Sequence, residues 1–241
     1  MDHSGPPTVE VHKLSKDFGG RRALRGVELC AQEGESLAIF GPNGSGKTTL
    51  IKILATILRP TGGSVSVAGL SLPQEALEVR RRIGVVTHQN YLYDELTCYE
   101  NLTFYGRMYR VPDLPERIRT VIAQVGLEAR LHDRVRTLSN GMQRRLSIAR
   151  AVLHNPSVLL LDEPEVGLDE HAVNLLEDLL ARLNDGRRTV IMSTHNLERG
   201  LRMCDRVAIL VDGRIAYQAT KAALDVPRLR ATYAQLAGAR V

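Results

Sequence analysis

Residues 41–49 read GPNGSGKTT, and this stretch decides the fold. The apolar run SLAIF at 36–40 predicts a strand before it, and the periodic segment TTLIKILATIL at 48–58 predicts a helix after it. Glycines between a strand and a helix allow the backbone to curl so that several N–H groups face one anion. The sequence therefore predicts a phosphate-binding loop inside an α/β domain.

The residue types within this loop match the parts of a bound nucleotide. The three glycines let the backbone surround the β-phosphate, Lys47 reaches the β- and γ-phosphates, and the Thr48 hydroxyl is placed to ligate Mg²⁺. A glycine turn with an incidental lysine is the alternative, which the flanking strand and helix disfavour. The candidate nucleotide-binding residues of the loop are Gly41, Pro42, Asn43, Gly44, Ser45, Gly46, Lys47, Thr48 and Thr49.

A pair of carboxylates follows a second apolar run, in VLLLDEP at 158–164. Four apolar residues predict a buried strand, so Asp162 and Glu163 lie side by side at its end. We expect Asp162 to hold Mg²⁺ through its water shell and Glu163 to polarise the attacking water as a general base. A solvated acidic turn is the alternative, which the phosphate-binding loop disfavours.

Three further side chains are candidates for contact with the nucleotide or its metal. His195 ends the predicted strand TVIMSTH, where a neutral imidazole can bond the γ-phosphate and orient the water near Glu163. Gln89 ends the predicted strand IGVVTHQ, and its amide oxygen suits Mg²⁺ or the water. Phe18 can stack on the face of adenine. Each of these three side chains, taken alone, is more often a structural residue.

The stretch LSNGMQRRLSIARAVL at 138–153 predicts a second anion site. Ser139 and Asn140 precede Gly141, and apolar residues then recur at helical spacing. Unpaired backbone N–H groups at the start of such a helix attract anions. The residues alone do not say which anion a second site would serve.

The pattern of strands and helices predicts a single domain over 1–241 with a helical insertion. Strand patterns at both ends assign 8–89 and 156–217 to an α/β core with a mostly parallel sheet. Helical patterns fill 90–155, which we interpret as an inserted helical subdomain. Residues 218–241 form a short C-terminal tail. The predicted fold class is α/β, a P-loop NTPase nucleotide-binding domain with a mostly parallel core sheet, an N-terminal antiparallel β part and an inserted helical subdomain.

The charge distribution gives no sign of a nucleic-acid partner. The net charge of +5 is compatible with several anionic partners. The basic clusters Arg80-Arg81-Arg82, Arg144-Arg145 and Arg187-Arg188 are dispersed and lack interleaved aromatic residues. We interpret all three clusters as solvated helix faces.

Cysteine usage and hydropathy favour a cytoplasmic protein that does not span a membrane. The three cysteines are odd in number and far apart, which predicts reduced thiols rather than a disulfide or zinc site. The longest apolar run, at 158–161, is far below the roughly 18 residues that a spanning helix needs. The start MDHSGPP lacks the layout of a signal peptide.

With these motifs in order, essentially the whole chain resembles the ATP-binding subunits of ABC transporters. Asn140 and Met142 depart from that family's commoner LSGGQ, and Glu165-Val166 from a commoner pair that contains Thr. The resemblance implies ATP and Mg²⁺ as cofactors and hydrolysis of ATP to ADP and phosphate. The similar motifs are GPNGSGKTT for Walker A, Gln89 for the Q-loop, LSNGM for the signature, LLLDE for Walker B, Gly167-Leu168-Asp169 for the D-loop and His195 for the switch histidine.

The resemblance implies a dimer and thereby a purpose for the second anion site. In the family two cassettes pack head to tail, so that the signature of one subunit caps the ATP on the phosphate loop of the other. A homodimer is the implied assembly. The residues implied to contact the partner's ATP are Ser139, Asn140, Gly141, Met142 and Gln143.

The resemblance also implies integral membrane permease subunits and a place on the inner face of the bacterial inner membrane. In the family the region beside the Q-loop receives a coupling helix of the membrane subunit. Tyr91, Leu92 and Tyr93 follow Gln89 directly and do not fit a core helix face, so we assign them to this contact.

Four stretches most resemble the ATP-binding subunits of haem exporters of cytochrome c maturation, the CcmA family. They are ILATILRPTGGSVSVAG at 53–69, THQNYLYDELTCYENLTFYGRMY at 87–109, VRTLSNGMQRRLSIARAVLHNPSVLLLDEP at 135–164 and STHNLERGLRMCDRVAIL at 193–210. This resemblance implies a CcmB-like membrane partner. A drug or polysaccharide exporter is the alternative, because such exporters share many of these residues. A soluble ABC ATPase of iron–sulfur cluster assembly is the alternative from another class.

Overall fold

The computed structural model describes residues 7–168, 170–183 and 188–238. Its strands are β1 (Val9–Phe18), β2 (Arg21–Ala31), β3 (Ser36–Phe40), β4 (Gly62–Val67), β5 (Leu70–Leu72), β6 (Ile83–Val86), β7 (Val158–Asp162), β8 (Thr189–Ser193), β9 (Arg206–Val211) and β10 (Arg214–Thr220). Its helices are α1 (Lys47–Leu54), α2 (Ala76–Arg82), α3 (Cys98–Met108), α4 (Leu114–Gln124), α5 (Asn140–Val152), α6 (Glu170–Leu183), α7 (Leu197–Met203) and α8 (Val226–Ala237).

The strands form two sheets that share a hydrophobic core. An antiparallel sheet has the order β2-β1-β4-β5, and a larger sheet has the order β10-β9-β3-β8-β7-β6. The larger sheet is parallel except for the antiparallel pair β9-β10. Strands β3 and β7 are buried along their whole length, as strands covered on both faces should be. The predicted mostly parallel core and N-terminal antiparallel part are confirmed.

The carboxyl ends of the parallel strands bring the predicted site residues to one edge of the larger sheet. Strands β3, β8, β7 and β6 are consecutive neighbours and point the same way. The phosphate loop follows β3, the acidic pair ends β7, and the turns with His195 and Gln89 follow β8 and β6. Parallel strands bind ligands at this end, so the topology assembles residues that are far apart in sequence.

Helices α3, α4 and α5 form the helical subdomain. Helix α3 begins at a capping box, in which Thr97 Oγ1 accepts from the Glu100 N–H (3.1 Å) and the Glu100 carboxylate accepts from the Thr97 N–H (2.8 Å). The three helices pack through fully buried aliphatic side chains, among them Leu102, Ile118 and Leu146. Helix α5 also packs against β6 and thereby joins the subdomain to the sheet.

Several elements end earlier than the sequence predicts. Helix α1 ends at Leu54 rather than at residue 58, because Thr56 has a left-handed backbone (φ 62°). Strands β6 and β8 end at Val86 and Ser193, so Gln89 and His195 lie in turns and not in strands. A strand ends where the chain stops pairing with the neighbouring strands, and an apolar pattern in the sequence does not reveal that point.

The C-terminal boundary is wrong in the sequence prediction. Strand β10 continues to Thr220, beyond the predicted end of the core at residue 217. Helix α8 follows within the predicted tail and is capped by the Asp225 carboxylate, which accepts from the Arg228 N–H (2.8 Å). Its Leu229 is fully buried in a cluster with side chains of β3 and β9. This segment is therefore part of the packed domain.

Some predicted features lie outside the described residues. These are Asp169 of the resembled D-loop, Arg187 of the third basic cluster, and residues 1–6 and 239–241 at the termini. In the part of the chain that the structure describes, no helix has the length and apolar character needed to cross a membrane.

The close packing of α5 on β6 predicts a strong effect of a small substitution. A Cβ at Gly84 would lie 2.3 Å from the Ala151 carbonyl oxygen and 2.7 Å from Leu159 Cδ2. We expect Gly84→Ala to lower the free energy of unfolding by about 1–3 kcal/mol, measured by urea denaturation. Gly62→Ala is the control, because its Cβ would meet only Ser15 Cβ at 3.9 Å. Equal stability of the two variants would contradict this packing.

Candidate active site

The phosphate loop is shaped by glycines that no other residue can replace. A Cβ at Gly41 would lie 2.2 Å from the Leu210 carbonyl oxygen, and one at Gly46 would lie 2.7 Å from the Ala23 carbonyl oxygen. Gly46 also has a left-handed backbone (φ 111°) and caps the start of α1. The loop therefore packs its own backbone tightly against β2 and β9, as the sequence predicts for a backbone cradle.

Lys47 places its ammonium group inside this loop. The side chain is only 5% exposed, and Nζ donates to the carbonyl oxygens of Gly41 (2.8 Å) and Pro42 (3.3 Å). Nζ also lies 3.5 Å from Glu163 Oε1. The buried charge is thus paired with a carboxylate from the neighbouring part of the sheet edge, at the point where a phosphate would bind.

Thr48 and Asp162 meet although 114 positions separate them in sequence. Thr48 Oγ1 donates to Asp162 Oδ1 (3.2 Å), and Ser193 Oγ donates to the same oxygen (2.7 Å). Asp162 is 2% exposed. The predicted magnesium ligands Thr48 and Asp162 are therefore brought together, and Ser193 adds a contact that the sequence analysis did not include.

Glu163 has an unusual backbone conformation that directs its side chain toward the loop. Its φ is 46°, a left-handed value that costs free energy in a non-glycine residue. Its N–H donates to both the carbonyl oxygen and the hydroxyl of Ser193 (3.1 Å each), which holds this conformation. The carboxylate is 25% exposed, so water can reach it beside Lys47.

Arg144 is buried, which contradicts the prediction of a solvated Arg144-Arg145 pair. The residue is 4% exposed, and burial, opposed by the charges of Glu165 and Asp162, lowers the pKa of its guanidinium. Its Nη1 donates to the Thr87 carbonyl oxygen and its Nη2 to the Glu163 carbonyl oxygen (3.3 Å). Arg144 therefore joins α5 to the turns after β6 and β7, a role for which the sequence carries no signal.

Phe18 lines a cleft of about 510 Å³ together with residues of the phosphate loop. The ring is 47% exposed, and Lys16 Nζ lies 4.9 Å from its centroid. The other residues that line this cleft include Arg21, Asn43, Lys47, Thr48, Thr49 and Glu163. The predicted adenine-stacking residue and the predicted phosphate ligands thus line one cavity. Arg21 is a lining residue that sequence reasoning missed.

Gln89 and His195 lie at the site's edge with exposed side chains. Strand β7 lies between the strands that precede them, so both turns flank the acidic pair. The Gln89 backbone is fixed, because its N–H donates to Thr87 Oγ1 (3.2 Å). Among the described residues no hydrogen bond joins either side chain to Glu163 or Thr48, so their predicted roles stay predictions.

The segment predicted as a second anion site begins a helix, α5, where the sequence predicts one. Ser139 caps α5, and its Oγ accepts from the Met142 N–H (3.3 Å). Ser139 and Asn140 are exposed, and the first turn contains no acidic residue that would repel an anion. In the described part of the chain no hydrogen bond or ion pair joins this segment to the phosphate loop.

Gln143 differs from the rest of this segment because its amide is used inside the subunit. Nε2 donates to the carbonyl oxygens of Val135 (3.2 Å) and Leu138 (3.3 Å), and Oε1 accepts from Asn90 Nδ2 (3.2 Å). These bonds tie the loop before α5 to the turn that follows Gln89. The side chain of Gln143 is therefore committed to structure, unlike the exposed Ser139.

A sequence model of the family described as ABC transporter matches residues 24–166, more than half of the chain. This chain belongs to the ABC transporter family. It is an ATP-binding subunit and an enzyme that hydrolyses ATP. The linearmycin resistance ATP-binding protein LnrL of Bacillus subtilis is 33% identical over 88% of this chain and 69% of that protein. The Nod factor export ATP-binding protein I of Rhizobium johnstonii is 36% identical over 87% of this chain and 68% of that protein.

Solved structures of ABC proteins share the fold of this ABC ATPase. An ATP-binding subunit of an ABC transporter superposes with a TM-score of 0.84 at 27% identity, covering 94% of this chain and 99% of that one. The dimeric post-hydrolysis state of the cassette MJ0796 bound to ADP and Pi gives 0.79 at 30% identity, covering 88% and 98%. The predicted family, fold and enzyme class are confirmed.

Proposed function

We propose that this ABC ATPase hydrolyses ATP in the cleft between Phe18 and Glu163, and that it powers a membrane exporter. The observation that supports the site best is the Lys47–Glu163 contact of 3.5 Å. It joins the cation after β3 that would bind phosphate to a partly exposed carboxylate at the end of β7, across the intervening strand β8. A triphosphate that reaches Lys47 would bring its terminal phosphorus near Glu163.

The loop and Phe18 would hold the two ends of ATP. Backbone N–H groups of 41–49 bind the phosphates, and Lys47 adds a charge-assisted hydrogen bond. The exposed ring of Phe18, which lines the same cleft, offers a face to adenine. The 510 Å³ cleft has the size of a small-molecule site.

Thr48 and Asp162 would hold Mg²⁺, with the Gln89 amide as a third candidate ligand. A hydroxyl and a carboxylate oxygen 3.2 Å apart are the hard donors that this ion prefers. The described residues contain no group of three or more His, Cys, Asp or Glu side chains able to hold a metal alone. Phosphate oxygens and water would supply the remaining ligands, and the bound ion would neutralise phosphate charge.

Glu163 would accept a proton from the attacking water, and His195 would bond the γ-phosphate. The left-handed backbone at Glu163 presents the carboxylate to the cleft while Asp162 stays buried against Thr48. Two adjacent carboxylates thus face different partners, which allows one to act as metal ligand and the other as base.

We propose a homodimer in which Ser139, Asn140, Gly141 and Met142 contact the ATP of the other subunit. Within the described residues, the exposed N-terminus of α5 makes no hydrogen bond or ion pair with the phosphate loop of its own subunit. The dimeric structure of MJ0796 supports this assembly, because that cassette shares the fold over 88% of this chain. Gln143 contributes by fixing the segment and not by reaching the nucleotide.

We place the membrane permease at the surface formed by Tyr91, Tyr93, Phe104 and Met108, which we name the aromatic surface. These side chains are 42–57% exposed, and Tyr93 packs edge-on against Phe104 at 5.1 Å between ring centroids. Leu92, which the sequence analysis grouped with the two tyrosines, packs partly against the helical subdomain instead. An exposed aromatic surface beside the Gln89 turn suits an apolar partner segment.

Serine at both tyrosines should weaken attachment to the membrane. We expect the double variant Tyr91→Ser, Tyr93→Ser to retain ATP turnover within about twofold. The amount of the variant that is recovered together with solubilised membrane proteins should fall at least about fivefold. Leu175→Ser on α6 is the control, because Leu175 is also exposed (38%) and lies outside the aromatic surface. Unchanged recovery of the double variant would argue against this docking site.

The cargo we propose is a small molecule of the kind exported by drug or polysaccharide exporters, in preference to haem. Of the relatives compared above, one is named for linearmycin resistance and one for Nod factor export. These names favour the exporter alternative over the haem exporter of cytochrome c maturation and its CcmB-like partner. The proposed place is the cytoplasmic face of a bacterial inner membrane.

A deletion strain separates these cargoes. We expect loss of the gene to raise sensitivity to toxic amphiphilic compounds while haem-stained c-type cytochromes remain normal. The wild-type gene should restore resistance, and the Glu163→Gln gene should not. Loss of c-type haem with b-type cytochromes spared would instead support haem export.

A further inference from the structure

Hydrogen bonds of Glu163 and Glu165 join the turn that follows β7 to the end of β8 and to the turn after it. The Glu163 N–H donates to the carbonyl oxygen and the hydroxyl of Ser193 (3.1 Å each). Two residues further along the chain, the carboxylate of Glu165 accepts from the Thr194 hydroxyl. Thr194 immediately precedes His195, so the second bond links the turn of the proposed base to the turn of the proposed phosphate ligand.

Thr194 transmits this link to the backbone around His195. It is 2% exposed, and its N–H donates to the Ile39 carbonyl oxygen (3.2 Å). Its Oγ1 accepts from the Asn196 N–H (3.0 Å). A hydroxyl has a single proton, which here goes to Glu165, so the carboxylate orients the hydroxyl that orders Asn196. The residues on each side of His195 are thereby fixed.

We propose that Glu165 is a positioning residue for ATP hydrolysis, which holds the His195 turn in place relative to Glu163 through Thr194. The proposal rests on the proposed function, since it presumes that Glu163 and His195 act on ATP. Glu165 does not line the nucleotide cleft, so it acts through other residues. The backbone bond from the Leu168 N–H to the Glu165 carbonyl oxygen (3.3 Å) persists in any side-chain variant.

Variants of Glu165 should separate positioning from binding. We expect Glu165→Ala to lower kcat about tenfold and to leave KM for ATP within about twofold. A misplaced His195 would lose its proposed contact with the γ-phosphate chiefly in the reacting complex, and much less in the binding of ATP. Glu165→Gln keeps an oxygen acceptor and should retain turnover within about twofold. A Glu165→Ala enzyme with normal kcat, or a Gln variant as slow as the Ala variant, would overturn the proposal.

Removing His195 provides the decisive comparison. If Glu165 acts through His195, Glu165→Ala should change kcat less than about twofold in a His195→Ala background. A full tenfold loss in that background would show that Glu165 acts elsewhere. A His195→Ala enzyme with normal kcat would defeat the proposed role of His195 itself, whereas slow His195→Ala with normal Glu165→Ala would defeat the positioning role alone.

Two further variants keep the test valid if Glu165→Ala does not fold. Thr194→Ser retains the hydroxyl and Thr194→Val lacks it, so only the valine variant should lose turnover and become insensitive to His195→Ala. Glu177→Ala is the matched control. Glu177 is also a largely buried carboxylate, paired with Arg199 (3.4 Å) and Arg202 (3.1 Å) on α7. Its loss should leave kcat within about twofold.

Discussion

Replacing Glu163 with Gln should reduce ATP turnover about 10²-fold or more while ATP binding is retained. The amide cannot accept the proton of the attacking water, which removes a contribution of roughly 10²- to 10⁴-fold. The phosphate loop and the Thr48–Asp162 contact do not involve this carboxylate, and Lys47 keeps its bonds to the Gly41 and Pro42 carbonyl oxygens. We expect the dissociation constant for ATP to change less than about threefold, measured by titration without turnover.

The same variant tests the proposed dimer. With hydrolysis blocked, ATP should persist in the sites and hold two subunits together at the Ser139 segments. Sedimentation should show a dimer with ATP and Mg²⁺ and a monomer with ADP. A monomer at saturating ATP would contradict the shared site. Glu170→Gln on α6 is the control for the loss of an acid outside the cleft, and it should turn over ATP normally.

Lys47→Ala should impair nucleotide binding itself. The substitution removes a charge-assisted bond to the β- and γ-phosphates, worth about 1.5–3 kcal/mol. The affinity for ATP should therefore fall roughly 10- to 100-fold. Titration of ATP and of AMP distinguishes this role, because AMP lacks the phosphates that Lys47 contacts and should lose little affinity.

Lys52→Ala is the matched control for charge, since Lys52 lies five residues further along α1. It should bind ATP normally. Lys47 also donates to two loop carbonyls, so thermal melting of the Lys47 variant should accompany the titration. ATP affinity equal to that of the wild type in a folded Lys47→Ala protein would contradict the proposed contact.

The fold was predictable because its decisive features are local. A glycine loop between an apolar strand and a helix identifies the phosphate site, and the run before Asp162 identifies a buried strand. The start of α5 at Ser139 follows from its capping chemistry. These patterns involve residues close in sequence, and the structure places them as expected.

The missed features depend on contacts between distant segments. In the sequence Arg144 resembles a surface arginine. In the fold α5 packs against the turns after β6 and β7, and the Arg144 guanidinium donates to carbonyl oxygens of both turns. Gln143 turns inward because two carbonyls of the preceding loop need donors. Helix α8 looks like a tail because only Leu229 of it is fully buried. No periodicity in one segment reveals a partner in another.

The Lys47–Glu163 contact gives the phosphate loop a counter-ion of its own. The ammonium and the carboxylate lie 3.5 Å apart, so the buried cation is not left without a partner. A triphosphate that binds Lys47 would compete with Glu163 for the same ammonium, because both are anions. Each arrival and departure of the nucleotide would therefore exchange the ionic partner of Lys47.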